Sequence, residues 1–375
     1  MKRRWWAVRS LQIGVGLLVS GCGVDEPISI GVVGAFSQSE GAGVLWSAES
    51  AVNAINATGG IDGRPLRLVA EDDSAQPERA RLLARQFYDD PSVVAVIGHT
   101  TTPEAMAAAP IYSSGPSPIV AITPSASVDD LPNTGPFIFQ ICPSDSDHGS
   151  ALAAWTYNRL QAREAAILYQ NDDYGRRLRN AYAISFETAG GAVVADYPYL
   201  AELPSFDPFL RVLRRRGGAD VLLIAGTHDV VRRVVPTLDS VNLRTRVIGA
   251  DRLTDLRRSP ALFAGVLISS AYLPDRPTPR NRAFVEDFSA DHNTELPDHV
   301  AAGTFDAVHL LARSIAEVGT DRRAIRDYLA TIGRGTAPFE GITGTIRFDD
   351  RGALQDREVK IGIITGAGLA SAEPN

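Results

Sequence analysis

Two short loops carry hydroxyls at matching positions. Thr100, Thr101 and Thr102 follow the apolar run 93–97, and Ser125 and Ser127 follow the run 119–122. Both runs are β-branched and unbroken, as fully buried parallel strands read, so the loops lie side by side beyond the strands' carboxyl ends, where open α/β sheets bind ligands. Hydroxyls and N–H groups at helix N-termini suit a small anion. N-capping explains any one of them equally well, whereas a pair in matching loops points to a ligand.

Signs of catalysis are lacking by the same test. The six histidines, His99, His148, His228, His292, His299 and His309, show no H-x-x-x-H spacing and none pairs with a nucleophile and an orienting acid. His99, directly after a strand, reads as a structural hydrogen-bonder. No G-x-G-x-x-G, G-x-x-x-x-G-K-[ST] or G-x-S-x-G occurs. The expectation is capture without chemistry, with no cofactor and no metal; an α/β enzyme is the reading of another class.

The elements that hold these loops alternate. Strands at 28–34, 66–71, 165–169, 192–197, 221–225, 247–250 and 265–270 interleave with helical periodicity at 44–57, 77–88, 174–189, 206–216 and 229–238. This predicts an α/β fold of two doubly wound parallel-sheet lobes, each covered by helices on both faces, with a multi-strand hinge and a cleft between them. Helices at 281–290, 300–318 and 322–332 and strands at 344–348 and 358–365 complete the chain. The expected division is 28–142 with 274–341 for the first lobe, 143–273 with 342–366 for the second, and 367–375 as a tail.

Residues 1–21 read as a leader: Lys2, Arg3, Arg4 and Arg9 precede the apolar run 11–19, and Ser20-Gly21-Cys22 follows. Small residues before a cysteine resemble a bacterial lipobox, in which Cys22 becomes a lipidated N-terminus. Removing residues 1–21 takes away four positive charges and leaves 354 residues, so the formal charge moves from −7 to −11. That argues against a nucleic-acid partner and against a polybasic membrane patch. With Cys22 lipidated, Cys142 has no intramolecular disulfide partner and reads as a small buried residue.

Blocks along the whole mature chain then converge. IGVVGAFS (30–37), AVNAINATGGIDGRPLRLVAEDD (51–73), VVAVIGH (93–99), API (109–111), ITPSAS (122–127), PSDSDHG (143–149), DDYG (172–175), IGADRL (248–253) and GITGTIRFDDRG (341–352) together resemble the branched-chain amino acid (Leu/Ile/Val) binding family of ABC-importer receptors. The resemblance implies the type I periplasmic binding protein fold and a solute-binding lipoprotein that is extracytoplasmic, monomeric and anchored to a bilayer. Its partners would be a membrane permease and an amino acid or amide-like solute, with ligand sensing for a signalling partner as the alternative.

By position it implies that Thr102 and Ser127 hold the ligand's α-carboxylate and that the Ser125 carbonyl accepts from its ammonium. Asp251 would pair with that ammonium and Tyr174 would close over the ligand, with Asp145 at the crossing between lobes and Thr227 in the loop after Ala225. That loop often carries an aromatic in the family, and here holds Thr227 and His228. The loop 36–43 is shorter than the family's and lacks an aromatic beyond Phe36, so Trp46 on the following helix is the expected substitute.

Overall fold

The computed structural model describes residues 26–37, 41–356 and 358–373. The leader and Cys22 lie outside these residues.

Five parallel strands form the first sheet: β1 (Ile28–Gly34), β2 (Leu66–Asp72), β3 (Val93–Ile97), β4 (Val120–Thr123) and β5 (Ile138–Gln140), in the order β2-β1-β3-β4-β5. Every residue of β1, β3, β4 and β5 is buried, because helices cover both faces. On one face α2 (Pro77–Asp89) and α3 (Thr102–Ser113) pack Leu83, Phe87, Ala105, Ala108 and Tyr112 against Val33, Val93 and Val96. On the other, α1 (Gly41–Ala57) lies with three helices contributed from far along the chain.

The second sheet repeats that order with β6 (Glu164–Gln170), β7 (Ala192–Tyr199), β8 (Val221–Ala225), β9 (Arg246–Gly249) and β10 (Leu267–Ser270), running β7-β6-β8-β9-β10. Helices α4 (Asp145–Asn158) and α5 (Asp173–Thr188) cover one face. The other carries α6 (Asp207–Arg215), α7 (His228–Ser240), the 3-10 segment Asp251–Arg258 and the single turn α8 (Pro260–Phe263). The repeated order makes the loops after β3 and β4 correspond to those after β8 and β9, so the Ser125–Ser127 loop has the Asp251 loop as its counterpart.

From β10 the chain returns to the first lobe as α9 (Pro279–Asp291), α10 (His299–Val318) and α11 (Arg322–Thr331), followed by the short hairpin β11 (Phe339–Glu340) and β12 (Thr345–Ile346). Here the expected boundaries need correction. Ile342, Ile346 and Phe348 belong to the first lobe's core, and Phe348 meets Phe139 edge-on at 4.9 Å. The buried Asp306 carboxylate on α10 also accepts from Ile342 N at 2.9 Å and Thr343 N at 2.8 Å, so the chain stays with the first lobe past residue 342.

The last crossing runs beside the first, where Gln140 pairs with Ala353. It delivers β13 (Lys360–Thr365) antiparallel to β10, and β14 (Gly368–Ser371) then closes a hairpin on it. The expected tail is thus an edge strand, and the second sheet is mixed where an all-parallel one was expected. The reason is that β13 arrives directly across the hinge without a helix to reverse it. No helix among the described residues is long and apolar enough to cross a membrane.

Candidate functional site

The carboxyl ends of both sheets face each other, and the polar side chains there form two bonded groups, one around Asp145 and one around Asp251. Ser127, buried in the loop after β4, donates its hydroxyl to Asp145 Oδ1 at 2.7 Å, and Arg177 on α5 donates to Asp145 Oδ2 at 2.9 Å. Asp145 is the first residue of α4, yet it does not cap the helix as its type suggests. Ser144 and Asp147 form a capping box, which leaves the Asp145 side chain to bridge the lobes. Burial pushes the Asp145 carboxyl above the usual carboxylate range; the Ser127 hydroxyl opposes this, the Asp251 charge adds to it, and Arg177 opposes it.

Asp251 begins the segment after β9, with Ala250 at the cap position. Its Oδ1 accepts from Tyr174 OH at 3.3 Å and from Arg252 N at 2.9 Å. Tyr174 is buried, and the Arg252 guanidinium lies 3.8 Å from its ring centroid, which fixes the ring beside the carboxylate. Burial disfavours the charged form of Asp251, but the His148 and His299 rings, the Arg252 guanidinium and the Arg252 N–H hold the carboxyl below its ordinary range.

His299 stands at the start of α10, in the first lobe, with Nε2 3.8 Å from Asp251 Oδ2. Two further contacts join the lobes beside it, Arg257 to Asp298 at 3.4 Å and Arg258 to Glu295 at 3.3 Å. Gly303 lets this helix approach the hydroxyl loop, since a Cβ there would come within 3.0 Å of the Pro124 carbonyl oxygen.

The remaining hydroxyls are placed as follows. Thr102 is the first residue of α3, half-buried, and its hydroxyl has no hydrogen-bond partner among the described residues; the cap position is Thr101, whose own hydroxyl goes to the buried Glu104. The Ser125 hydroxyl donates to the Thr100 carbonyl at 2.6 Å, tying the two loops together and leaving the Ser125 carbonyl oxygen without a donor among the described residues. Thr227 sits at the cap of α7 with no side-chain cap bond, half-buried and outside both polar groups. In the same loop a Cβ at Gly226 would lie 1.8 Å from the Tyr199 hydroxyl, so an aromatic from the edge strand β7 fills the space beside this loop.

Trp46 is where the sequence reading and the structure part. Its indole N–H donates to Asp291 at 2.8 Å, and the ring packs against Phe284, Phe288 and His292 with centroids 5.1–6.1 Å away. Those partners lie on α9 and at its C-terminal cap, so the Trp46 ring packs in the first lobe's helix layer, and no bond or ring contact to another candidate occurs among the described residues.

His99 is buried with Nδ1 2.6 Å from Asp73 and Nε2 3.3 Å from Tyr112 OH, a structural arrangement below the loop. Cys142 is buried beside the Ala126 carbonyl. Arg177, Arg252, His148 and His299 were passed over in the sequence, because nothing local distinguishes a cleft arginine or histidine from a surface one. No group of three His, Cys, Asp or Glu suited to a metal occurs among the described residues. A hollow of about 770 Å³ opens at the far end of the second sheet, lined by residues such as Leu160, Asp220, Arg244 and Phe263. It lies at the strands' amino ends, away from the Asp145 and Asp251 groups and from the crevice where such sheets bind ligands.

Comparison with known proteins agrees with this geometry. Residues 27–362 match the family model described as periplasmic binding protein. An amino acid binding protein of Pseudomonas aeruginosa is 25% identical over 315 residues, covering 82% of this chain and 81% of that one. The Leu/Ile/Val-binding protein of Escherichia coli is 25% identical over 351 residues, covering 92% of each. Among solved structures, an ABC transporter substrate-binding protein of Desulfitobacterium hafniense in complex with Leu superposes with a TM-score of 0.81 at 28% identity, covering 92% of this chain and 100% of that one. The chain therefore belongs to the periplasmic binding protein family and is a solute-binding protein of the type I fold.

Proposed function

We propose that this chain is the lipid-anchored receptor of an ABC importer and that it binds an α-amino acid between its lobes. The observation that carries the reading is Asp251: a buried carboxylate at the lobe interface with one oxygen saturated by Tyr174 and Arg252 and the other accepting no hydrogen bond among the described residues. An ammonium fits that oxygen. Across the interface, Thr102 and the Ser127 N–H supply donors for the carboxylate and the Ser125 carbonyl a second acceptor for the ammonium. Because the Ser127 hydroxyl proton is already given to Asp145, its contribution to a ligand carboxylate comes from the backbone. The Leu-bound relative and the amino-acid-binding relatives support this ligand class.

Micromolar capture needs about 8 kcal/mol, which a few charge-assisted hydrogen bonds at about 1.5–3 kcal/mol each and apolar contact with Tyr174 supply. Closure about the three crossings near residues 141–144, 271–278 and 354–356 brings Asp251 and Tyr174 onto a ligand held by the first lobe, and the permease reads the closed form. Anchoring at Cys22 keeps the receptor at the outer face of the cell membrane.

A thermal-shift screen of the mature chain against the standard L-amino acids, amides and aromatic carboxylates tests the reading. A ligand that binds only the folded state raises the melting temperature by mass action. Stabilisation by a zwitterionic amino acid and not by amine-free carboxylates is expected. Stabilisation by the latter alone would overturn the assignment.

A further inference from the structure

Three polar atoms at the lobe interface face one another without touching. Asp251 Oδ2 is 3.8 Å from His148 Nε2 and 3.8 Å from His299 Nε2, too far for a direct hydrogen bond in either case. None of the three has a hydrogen-bond partner among the described residues. The rings come from opposite lobes. His148, on α4, is oriented by Ser269, whose Oγ lies 3.0 Å from Nδ1, and is 2% exposed. His299, on α10, is 8% exposed, and its enclosed Nδ1 is also without a partner.

The charged and titratable groups around the pair come from every element packed here. Asp251, Arg252 and Tyr174 face them from the second lobe's loops, and Asp145 and Arg177 from α4 and α5. Asp298 with its partner Arg257 lies beside His299. With both rings neutral, the three-membered cluster carries the single negative charge of Asp251, with Arg252 beside it. Protonation of one ring cancels it, and protonation of both makes the three-membered cluster positive. Imidazole is the side chain whose ordinary range places a charge change between pH 5 and 8.

We propose that His148 and His299 are positioning residues for ligand capture: as neutral rings they leave Asp251 Oδ2 open to the ligand's ammonium, and as imidazolium ions they claim that oxygen themselves. The cleft then takes up an amino acid at neutral pH and lets it go in acid. The inference rests on the amino-acid reading above, which supplies the ammonium.

Two experiments on the mature chain test it. The ring titrations of His148 and His299, followed by NMR without ligand, move to lower pH in Asp251→Asn, because the opposite charge that favours imidazolium is gone; titrations that do not move overturn the coupling. Calorimetry with L-leucine at pH 7.5 and pH 5.0 is the second. The wild type weakens about tenfold or more across that range, and His148→Gln/His299→Gln, whatever its affinity at pH 7.5, changes by less than about threefold. A double variant that weakens as much as the wild type overturns the proposal. Failure of wild type to bind any amino acid at pH 7.5 counts instead against the amino-acid reading, and the ligand-free titrations decide the coupling independently.

Discussion

Replacing Asp251 by Asn separates charge from shape at the centre of the cleft. The amide oxygen keeps the hydrogen bonds from Tyr174 OH at 3.3 Å and Arg252 N at 2.9 Å, and the new NH2 falls in the gap toward His148 and His299. What disappears is the negative charge and the acceptor that an ammonium would use. A charge-assisted hydrogen bond is worth about 1.5–3 kcal/mol, so Kd rises about ten- to 150-fold. Stability changes little at pH 7. The folded Asp251 carboxyl lies below its ordinary range, so its contribution is present above the unfolded-state value, is lost as pH falls through the folded one, and is forfeited by Asn. Against that, Asn no longer bears the cost of burying a charge. Calorimetry with L-leucine at pH 7.5, accompanied by circular dichroism melts, reads both effects. An unchanged Kd in a variant that melts as a folded protein would refute the assignment of Asp251 to the ammonium.

Three other substitutions probe the frame around the site. Arg177→Ala leaves the buried Asp145 carboxylate with Ser127 as its remaining side-chain hydrogen-bond donor among the described residues, and urea unfolding is expected to show a loss of about 1–3 kcal/mol, largely restored by adding Asp145→Asn. Asp306→Ala strips the acceptor from Ile342 N and Thr343 N and detaches the β11–β12 hairpin from α10; a loss of about 2–3 kcal/mol is expected by the same measurement. Burial, aided by the Arg280 charge, pushes the His309 imidazole down to about 4. The unfolded chain therefore binds the extra proton between about pH 6.5 and 4, and stability falls as pH drops through that window, by up to about 3 kcal/mol. His309→Gln should flatten that part of the stability–pH curve, and an identical curve would show that the ring does not drive it.

Much of the architecture is legible in the linear chain because parallel strands buried on both faces leave little latitude. Val93–Ile97 and Val221–Ala225 are unbroken apolar runs for that reason, and the hydroxyl loops after β3 and β4 follow from where those runs stop. Asp251 and Tyr174 were reachable through the family blocks that contain them. Asp145 suits an N-cap by residue type alone, and only the structure shows that Ser144 and Asp147 cap the helix while Asp145 reaches Ser127.

Tertiary structure decided what depends on distant partners. Trp46 went to α9 because Asp291, Phe284 and Phe288, more than two hundred residues on, offer an indole both a hydrogen bond and aromatic edges. The hairpin at 339–346 stayed with the first lobe because the buried carboxylate of Asp306 needed its N–H groups. His148 and His299 share Asp251 only because α4 and α10, on opposite lobes, both begin at the interface. Side-chain type and strand periodicity thus determined the two sheets and the loops that face the cleft. Which charges meet there was decided by the packing of one lobe against the other, since electrostatic contact depends on distance in space and not along the chain.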